Sequence, residues 1–534
     1  MGKNIIICSD GTGNTAIKGR GTNVFKMFES VDLNSHRFHP ERAPQVAIYD
    51  DGVGTESLRL MRLLGGAAGY GLSRNVRQLY KELCRIYDPG DRIFLFGFSR
   101  GAFTVRSLSG FIGTCGIIDV NRLEGPGDLD ALVKQAYEVY RRCYRTWLMK
   151  KILGPPERGA TTQFRERHCH GGERIHFLGV WDTVDAVGLP LHVSDLINTL
   201  VYQFKFPDLV LSTSVDRAVH ALAIDDKRQS FQPLIWDESV PLQPGQSIEQ
   251  VWFSGAHSNV GGGYPKQGMS LVALDWMMHH AEQAGLRFVA SERQYYREHA
   301  NVDDKLYDPR AGLGTFYRWL PRDIAGTCEA SGVTPRLHLS VLERIAHGTD
   351  DYRPGNLPAH SQVVFTHTGD PAKDAAAGER AKAAETVLRE GHPEAASLLG
   401  LVRTRLAVGR LSYRIFMLTL VAVLLIAASA APQATTSMNA FLSSLGSLLF
   451  ALVTSPIDTV RSLFWHGSNS WWLAGVLSAG LLLAWLLSAW SSRGMNRVFA
   501  QFWFTHQQKL RDGLKRARAR SAEVLQWRDR RVES

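Results

Sequence analysis

Apolar residues recur along the chain in short runs that stop abruptly at polar or glycine-rich turns. Asn4–Cys8 ends at SDGTGN, Gln45–Tyr49 at DDGVGT and Arg92–Phe98 at SRG. Further on, Ile175–Trp181 ends at DTVD and Glu249–Phe253 at SGAHSNVGGG. Such continuous short runs predict strands buried on both faces, the pattern of a parallel sheet with helices above and below. The stretch SLRLMRLLGGAAGYGLSRNVRQLYKELCRIYD supplies crossover-helix material between two of them. In such sheets ligands sit outside the carboxyl ends of the strands, where all of these polar turns would lie.

The pattern changes near the C-terminal end. Ile415–Ala431 is an uncharged run of 17 residues, and Trp471–Trp490 is an uncharged run of 20 with tryptophans at both ends. A helix needs about 20 apolar residues to cross the hydrocarbon, with about 17 the lower limit, and interfacial tryptophans suit its ends. Arg403, Arg405, Arg410 and Arg414 precede the first run, and Arg493 and Arg497 follow the last. Basic flanks on both sides predict two crossings with both ends cytoplasmic. Phe441–Val453, 13 residues, reads as interfacial or re-entrant, and three crossings are the alternative. The segments then read as a catalytic domain over 1–365, a charged helical connector over 366–402, a membrane segment over 403–492 and a basic amphipathic tail over 493–534.

Charge sharpens this division. The net charge is +10, but residues 403–534 hold 16 of the 61 Lys and Arg and 5 of the 51 Asp and Glu, a net of +11. The remaining 402 residues carry 45 against 46. The basic excess therefore adjoins the apolar runs, which suits anionic headgroups and excludes a nucleic-acid platform in the first part. The six cysteines show no CxxC pair and read as reduced thiols. The apolar run at the N-terminus is too short for a signal-peptide core, and MGKNII lacks the myristoylation pattern.

One of the turns carries candidate chemistry. Gly97-Phe98-Ser99-Arg100-Gly101 follows an apolar strand and precedes AFTVRSLSGFI, which has helical spacing. That is the setting of a nucleophile elbow, in which Gly97 and Gly101 remove side chains that would clash. A serine needs a base, and the base an orienting acid, in the chain order Ser, Asp or Glu, His. Asp182, at the end of one strand, and His257, after another, stand in that order. An N-cap is the alternative for Asp182, with Asp185 the rival acid; a structural loop histidine is the alternative for His257. The glycines at 261–263 fit a close backbone approach or a plain turn. The N–H of Arg100 is one oxyanion donor, and that of Gly11 or Thr12 in CSDGTGN is the second, with Asp10 shaping the loop. Phosphate binding is the alternative for that loop, although it lacks the spacing of either common phosphate motif. HCH at 168–170 reads as a solvated loop, with no metal expected. AIDDKRQSFQP (223–233) either lines the cleft or forms a surface ion-pair cluster.

The blocks IIICSDGTGN, TNVFKMFE, YDDGVGT, FLFGFSRGAFTVRSLSGFIG, FLGVWDTVDAVG, HALAIDDKRQSFQP and WFSGAHSNVGGGYP occur in this order over about residues 1–300. In these the chain resembles a bacterial and fungal α/β-hydrolase family that supplies the catalytic domain of type VI secretion phospholipase effectors. The resemblance implies an α/β-hydrolase core, a triad of Ser99, Asp182 and His257, and phospholipid substrates. It also implies a role as an exported effector, with secretion machinery and an immunity protein as partners, and no cofactor. Where that pattern usually has Asp, this chain has Asn259, which bears on the support of His257. The leading expectation is a membrane-anchored serine esterase acting on phospholipids or other acyl esters. The alternative is a membrane-tethered hydrolase fold with a binding or assembly role.

Overall fold

The computed structural model describes residues 2–11, 21–51, 67–123, 125, 127–143, 159–184, 209–311, 319–391, 398–430 and 471–532. Thr12, Asp185 and the apolar run 441–453 lie outside the described residues.

The elements alternate as expected. In chain order they are β1 (Asn4–Ser9), α1 (Asn23–Glu29), β2 (Gln45–Asp50), α2 (Ala67–Ile86), β3 (Arg92–Phe98), α3 (Arg100–Cys115), α4 (Asp128–Cys143), α5 (Gly159–His168), β4 (Ile175–Trp181), β5 (Val215–Ala223) and β6 (Ser247–Phe253). There follow α6 (His257–Gly261), α7 (Gly268–Gln283), α8 (Ala290–His299), α9 (Ile324–Ala330), β7 (Arg336–His338), α10 (Leu339–His347), β8 (Gln362–Val364), α11 (Pro371–Gly391), α12 (Arg403–Ala430) and α13 (Trp471–Val532).

The strands form one eight-stranded sheet in the order β2-β1-β3-β4-β5-β6-β7-β8, parallel at every pairing. β5 (VDRAVHALA) was not among the expected strands because Asp216, Arg217 and His220 interrupt its apolar run. Alternate residues of each strand go to opposite layers. Ile5, Ile7, Ile93, Leu95, Leu178 and Val180 pack under α2, α3 and α4. Ile6, Cys8, Phe94, Phe96, Phe98, Phe177 and Trp181 pack under α1 and α7. The period of two along a strand and two covered faces explain why the runs are apolar throughout. The strand order reverses direction between β1 and β3, so the crevice at their carboxyl ends is the topological switch point. All six cysteines are free.

The chain divides into two compact units, one of residues 1–317, 321–398 and 503–534, the other of 318–320 and 399–502. In the first, α11 packs on its neighbours: Ala381, Ala384 and Leu388 are buried, Arg380 pairs with Glu343 at 2.5 Å, and Glu385 accepts the Val363 N–H at 2.7 Å. The start of the expected tail also packs here. Trp503, Leu510, Leu514 and Ala517 are buried at helical spacing, Trp503 Nε1 donates to Pro354 O at 2.8 Å, and Gln507 and Arg511 donate to the Ile345 and Ala346 carbonyls. Those carbonyls end α10, where intrahelical donors run out. A stripe of four buried side chains and the terminal carbonyls of a neighbouring helix explain why 503–517 docks on protein, while Lys509, Lys515, Arg516 and Arg520 stay exposed and Arg518 reaches Glu343 at 3.9 Å.

In the second unit α12 and α13 run antiparallel. Ser491 Oγ donates to Arg405 O at 2.7 Å, Ser412 Oγ donates to Ala484 O at 2.7 Å, and Thr419 faces Gly480. Small residues at these crossings let the two backbones approach closely, as in paired membrane helices. Leu418, Leu482, Leu483, Trp485 and Leu486 are exposed. Among the described residues one helix, over 475–520, is long and apolar enough to cross a membrane.

Candidate functional site

Ser99 sits at the sharp turn from β3 into α3, at the switch point. Its backbone lies at φ 60° and ψ −123°, a region that a residue with a Cβ adopts at a cost of about 1–3 kcal/mol. The two glycines are required by close packing. A Cβ on Gly97 would stand 2.6 Å from Gly101 O and 2.7 Å from the Ala102 Cα. One on Gly101 would stand 2.6 Å from the Ser9 carbonyl carbon and 2.7 Å from that of Asp10, with Ser9 O nearer still. Helix α3 thus begins directly against the end of β1. Ser99 occupies its N-cap position without a capping bond from its side chain.

Asp182 and His257 meet across 75 positions of chain. His257 Nδ1–H donates to Asp182 Oδ2 at 2.6 Å, the tautomer being set because an ionised carboxylate only accepts. Asp182 follows β4 at φ 42° and is fully buried, and its Oδ1 accepts the Ala223 N–H at 2.9 Å. Its side chain is engaged by His257 and Arg322, not by a helix end. The imidazole is held between Phe98 and Phe231, with ring centroids 4.6 and 5.0 Å away. Because Phe98 directly precedes Ser99, this packing puts the imidazole beside the residue that leads into the Ser99 turn. His257 Nε2 is buried and has no partner among the described residues. It is the nitrogen a general base would use.

Electrostatics follow from burial and neighbours. Burial alone would raise the Asp182 carboxyl, but the Arg322 guanidinium and the His257 bond hold it well below the usual carboxylate range. Burial lowers His257 below the ordinary imidazole value, and its bond to Asp182 only partly restores it. The imidazole must be neutral to accept a proton. A lowered value keeps it neutral to more acid pH, so the acid limb of kcat/KM is expected below about 6.5. A pH profile of reaction with a fluorophosphonate probe checks this, and a limb above that value would contradict it.

Sequence reasoning missed Arg322. This buried residue donates from Nη1 to Asp182 Oδ1 at 2.6 Å and from Nη2 to Oδ2 at 2.8 Å, and it also reaches the Ala223 and Phe231 carbonyls. It lies 140 positions from Asp182, in a stretch (RWLPRDIAG) with no motif. The DDKRQSF block lines the site. Asp226 accepts the His257 N–H at 3.3 Å and pairs with Arg228 at 2.7 Å, while Asp225 accepts the Gly255 N–H at 2.6 Å and the Tyr352 hydroxyl at 2.8 Å.

The first loop is built around Asp10, which accepts the Tyr49 hydroxyl at 2.9 Å and that of Thr22. Gly11 N–H donates to Asp10 Oδ1 at 2.7 Å, so it turns inward on its own loop in this structure. Arg100 is the first residue of α3, where N–H groups point out of the helix end. Asn259 ties the histidine loop to the segment after α8. Its Nδ2 donates to Lys305 O at 3.0 Å and its Oδ1 accepts the Ala256 and Tyr307 N–H groups, each at 3.3 Å. The donor function is one that an ionised Asp could not supply. His170 stacks edge-on against Tyr87, and among the described residues no group of side chains could hold a metal.

A family model described as "T6SS, Phospholipase effector Tle1-like, catalytic domain" matches residues 3–280. An uncharacterized protein of Saccharomyces cerevisiae, YEL023C, is 27% identical over 249 residues, which cover 44% of this chain and 32% of that protein. The chain thus matches about a third of its curated relative's length. A crystal structure of an uncharacterized protein from Pseudomonas aeruginosa aligns with 74% of this chain and 60% of its own at 18% identity, with a TM-score of 0.32, too low to bear on the fold.

Proposed function

Because this chain belongs to the type VI secretion Tle1-like phospholipase effector family, we propose that it is a serine hydrolase that cleaves the carboxylic esters of membrane phospholipids. The family supports a hydrolase acting on lipids; the mechanism is our reading of the site. Ser99 Oγ attacks the ester carbonyl and passes its proton to His257 Nε2. Asp182 holds the imidazole in the required tautomer and opposes the charge it gains. The oxyanion is met by the Arg100 N–H and by a donor from the Gly11–Thr12 loop, with the Gly11 N–H turning from Asp10 toward the substrate. His257 returns the proton to the departing lysolipid alcohol, and water hydrolyses the acyl-enzyme by the same path. The observation that carries this reading is the buried Asp182–His257 bond of 2.6 Å, with Nε2 left unpartnered beside the Ser99 turn.

Location follows the apolar helices. We place α12 and α13 in a bilayer as two crossings, which keeps the hydrolase unit beside its substrate. Export into a target cell, with an immunity protein protecting the producer, fits the family equally. The alternative of a non-catalytic tether drew on Asn259, whose amide here is fully used in supporting the histidine loop.

The test uses the detergent-solubilised full chain with phosphatidylethanolamine and phosphatidylglycerol vesicles, beside a fluorophosphonate probe. Fatty acid release together with an adduct on Ser99 supports the proposal. An adduct with cleavage of short soluble esters alone removes the lipid assignment. Absence of both adduct and hydrolysis overturns it.

A further inference from the structure

We propose that Arg322 is a positioning residue for the same reaction, its two-pronged grip on Asp182 fixing the plane of the carboxylate that orients His257 and limiting how firmly the imidazolium is held. This rests on the serine-hydrolase reading above.

The geometry is specific. A triad carboxylate has to present one oxygen to the imidazole and needs something to hold the other. Here the Arg322 fork contacts both oxygens, at 2.6 and 2.8 Å, while the Ala223 N–H holds Oδ1 and His257 holds Oδ2. A guanidinium fork matched to a carboxylate adds direction as well as charge. Arg322 is itself held: its side chain reaches the Phe231 carbonyl, and Asn356 Nδ2 donates to its own carbonyl at 3.1 Å. The pair sets rotation of the carboxylate, and through it the imidazole.

Charge follows. When His257 takes the Ser99 proton, a third ionised group forms beside Asp182 and Arg322. The other charged groups about the ring are Asp226 and Arg228, which pair with each other. The guanidinium therefore works against the imidazolium, making His257 a readier donor to the leaving alcohol and a weaker base. Removing the cation should raise the pH at which His257 becomes neutral.

The test compares the full-length wild type with Arg322→Met, which loses the charge, and Arg322→Lys, which keeps the charge and loses the fork. Fluorophosphonate labelling rates are measured against pH, with thermal unfolding as the check on folding. Carbethoxylation of His257, followed by mass spectrometry, reads its protonation without any catalysis. In Arg322→Met both pH profiles should shift upward by about one unit and plateau labelling should fall about 10- to 100-fold. In Arg322→Lys the profiles should keep the wild-type midpoint while the plateau falls about tenfold. A folded Met variant with unmoved profiles, or a Lys variant with the wild-type plateau, would overturn the proposal. If the Met variant does not fold, the Lys plateau decides. A wild type that never labels sinks the hydrolase reading instead, and the carbethoxylation profiles still decide whether Arg322 governs His257.

Discussion

Ser99→Ala is expected to lower fatty-acid release from phospholipid vesicles by about 10⁴-fold or more, because removing a nucleophile leaves only what binding and the oxyanion donors contribute. The folded state should survive. Alanine fills the same turn without the hydroxyl, and that hydroxyl caps no helix end. The strained backbone offers an internal control. At φ 60° alanine meets the same steric cost as serine, whereas Ser99→Gly relieves it. Ser99→Gly should therefore be equally inactive yet more stable than Ser99→Ala by about 1 kcal/mol. Vesicle assays beside thermal unfolding separate the two effects. Residual hydrolysis within tenfold of wild type in Ser99→Ala would mean that another group is the nucleophile. A Ser99→Gly variant less stable than Ser99→Ala would mean that the turn stores no strain.

Gly101→Ala should damage the fold itself, against what helix propensity says. In an exposed helix interior, alanine in place of glycine gains about 1 kcal/mol. Gly101 is the second residue of α3, but its Cα faces the end of β1, and a methyl group there overlaps the backbone of Ser9 and Asp10. Backbone cannot rotate aside as a side chain can. The helix must lift off the strand at the switch point or the sheet edge must open, which costs about 3 kcal/mol or more on the scale of overpacked cores. The steric term exceeds the propensity gain, so the expected result is a lower unfolding temperature or insoluble protein. Because Ser9 and Asp10 lead into the first loop, any soluble Gly101→Ala protein should also lose most of its labelling by a fluorophosphonate. An unfolding temperature at or above that of wild type would show that α3 does not press on β1 as described.

Much of the architecture could be read from apolar runs alone, because a strand covered on both faces has no solvated side and must be apolar throughout. β1, β3, β4 and the buried second half of β6 were legible for that reason, whereas β2, an edge strand half-buried or exposed after Gln45, was legible only from its short apolar run before a polar turn. β5 was not, since Arg217 and His220 are satisfied by tertiary partners: Arg217 by Gln283 and His280, and His220 by Thr183 and Gln250. The elbow was legible from its Gly-x-Ser-x-Gly spacing between strand and helix; Gly97 answers a local demand, the close approach of Gly101 and Ala102, whereas the approach of Gly101 to Ser9 and Asp10 is set by the fold. Asp182 and His257 were legible from chain order and from their places at strand ends. That they meet at 2.6 Å is a fact of the folded chain.

The C-terminal region divides along the same line. Length without charge marks 415–431 and 471–490 as membrane candidates from sequence alone, since a bilayer acts on a segment by its mean polarity. The basic stretch beyond them invites a lipid-surface reading, yet Trp503, Leu510 and Leu514 turn that helix onto the hydrolase unit. A helix with an apolar stripe can be served by lipid or by protein, and only the partner surface chooses.

Local chemistry and periodicity therefore specified the strand-rich core, the sharp strand-to-helix turn at Ser99 and the apolar helices, because each is largely a response to near neighbours or to solvent. Folding alone decided the grip of Arg322 on Asp182, the inward turn of Asp226 and the bridge from Asn259 to Lys305. Each joins residues tens of positions apart or more, and their energies arise from burial that no short stretch of chain can express.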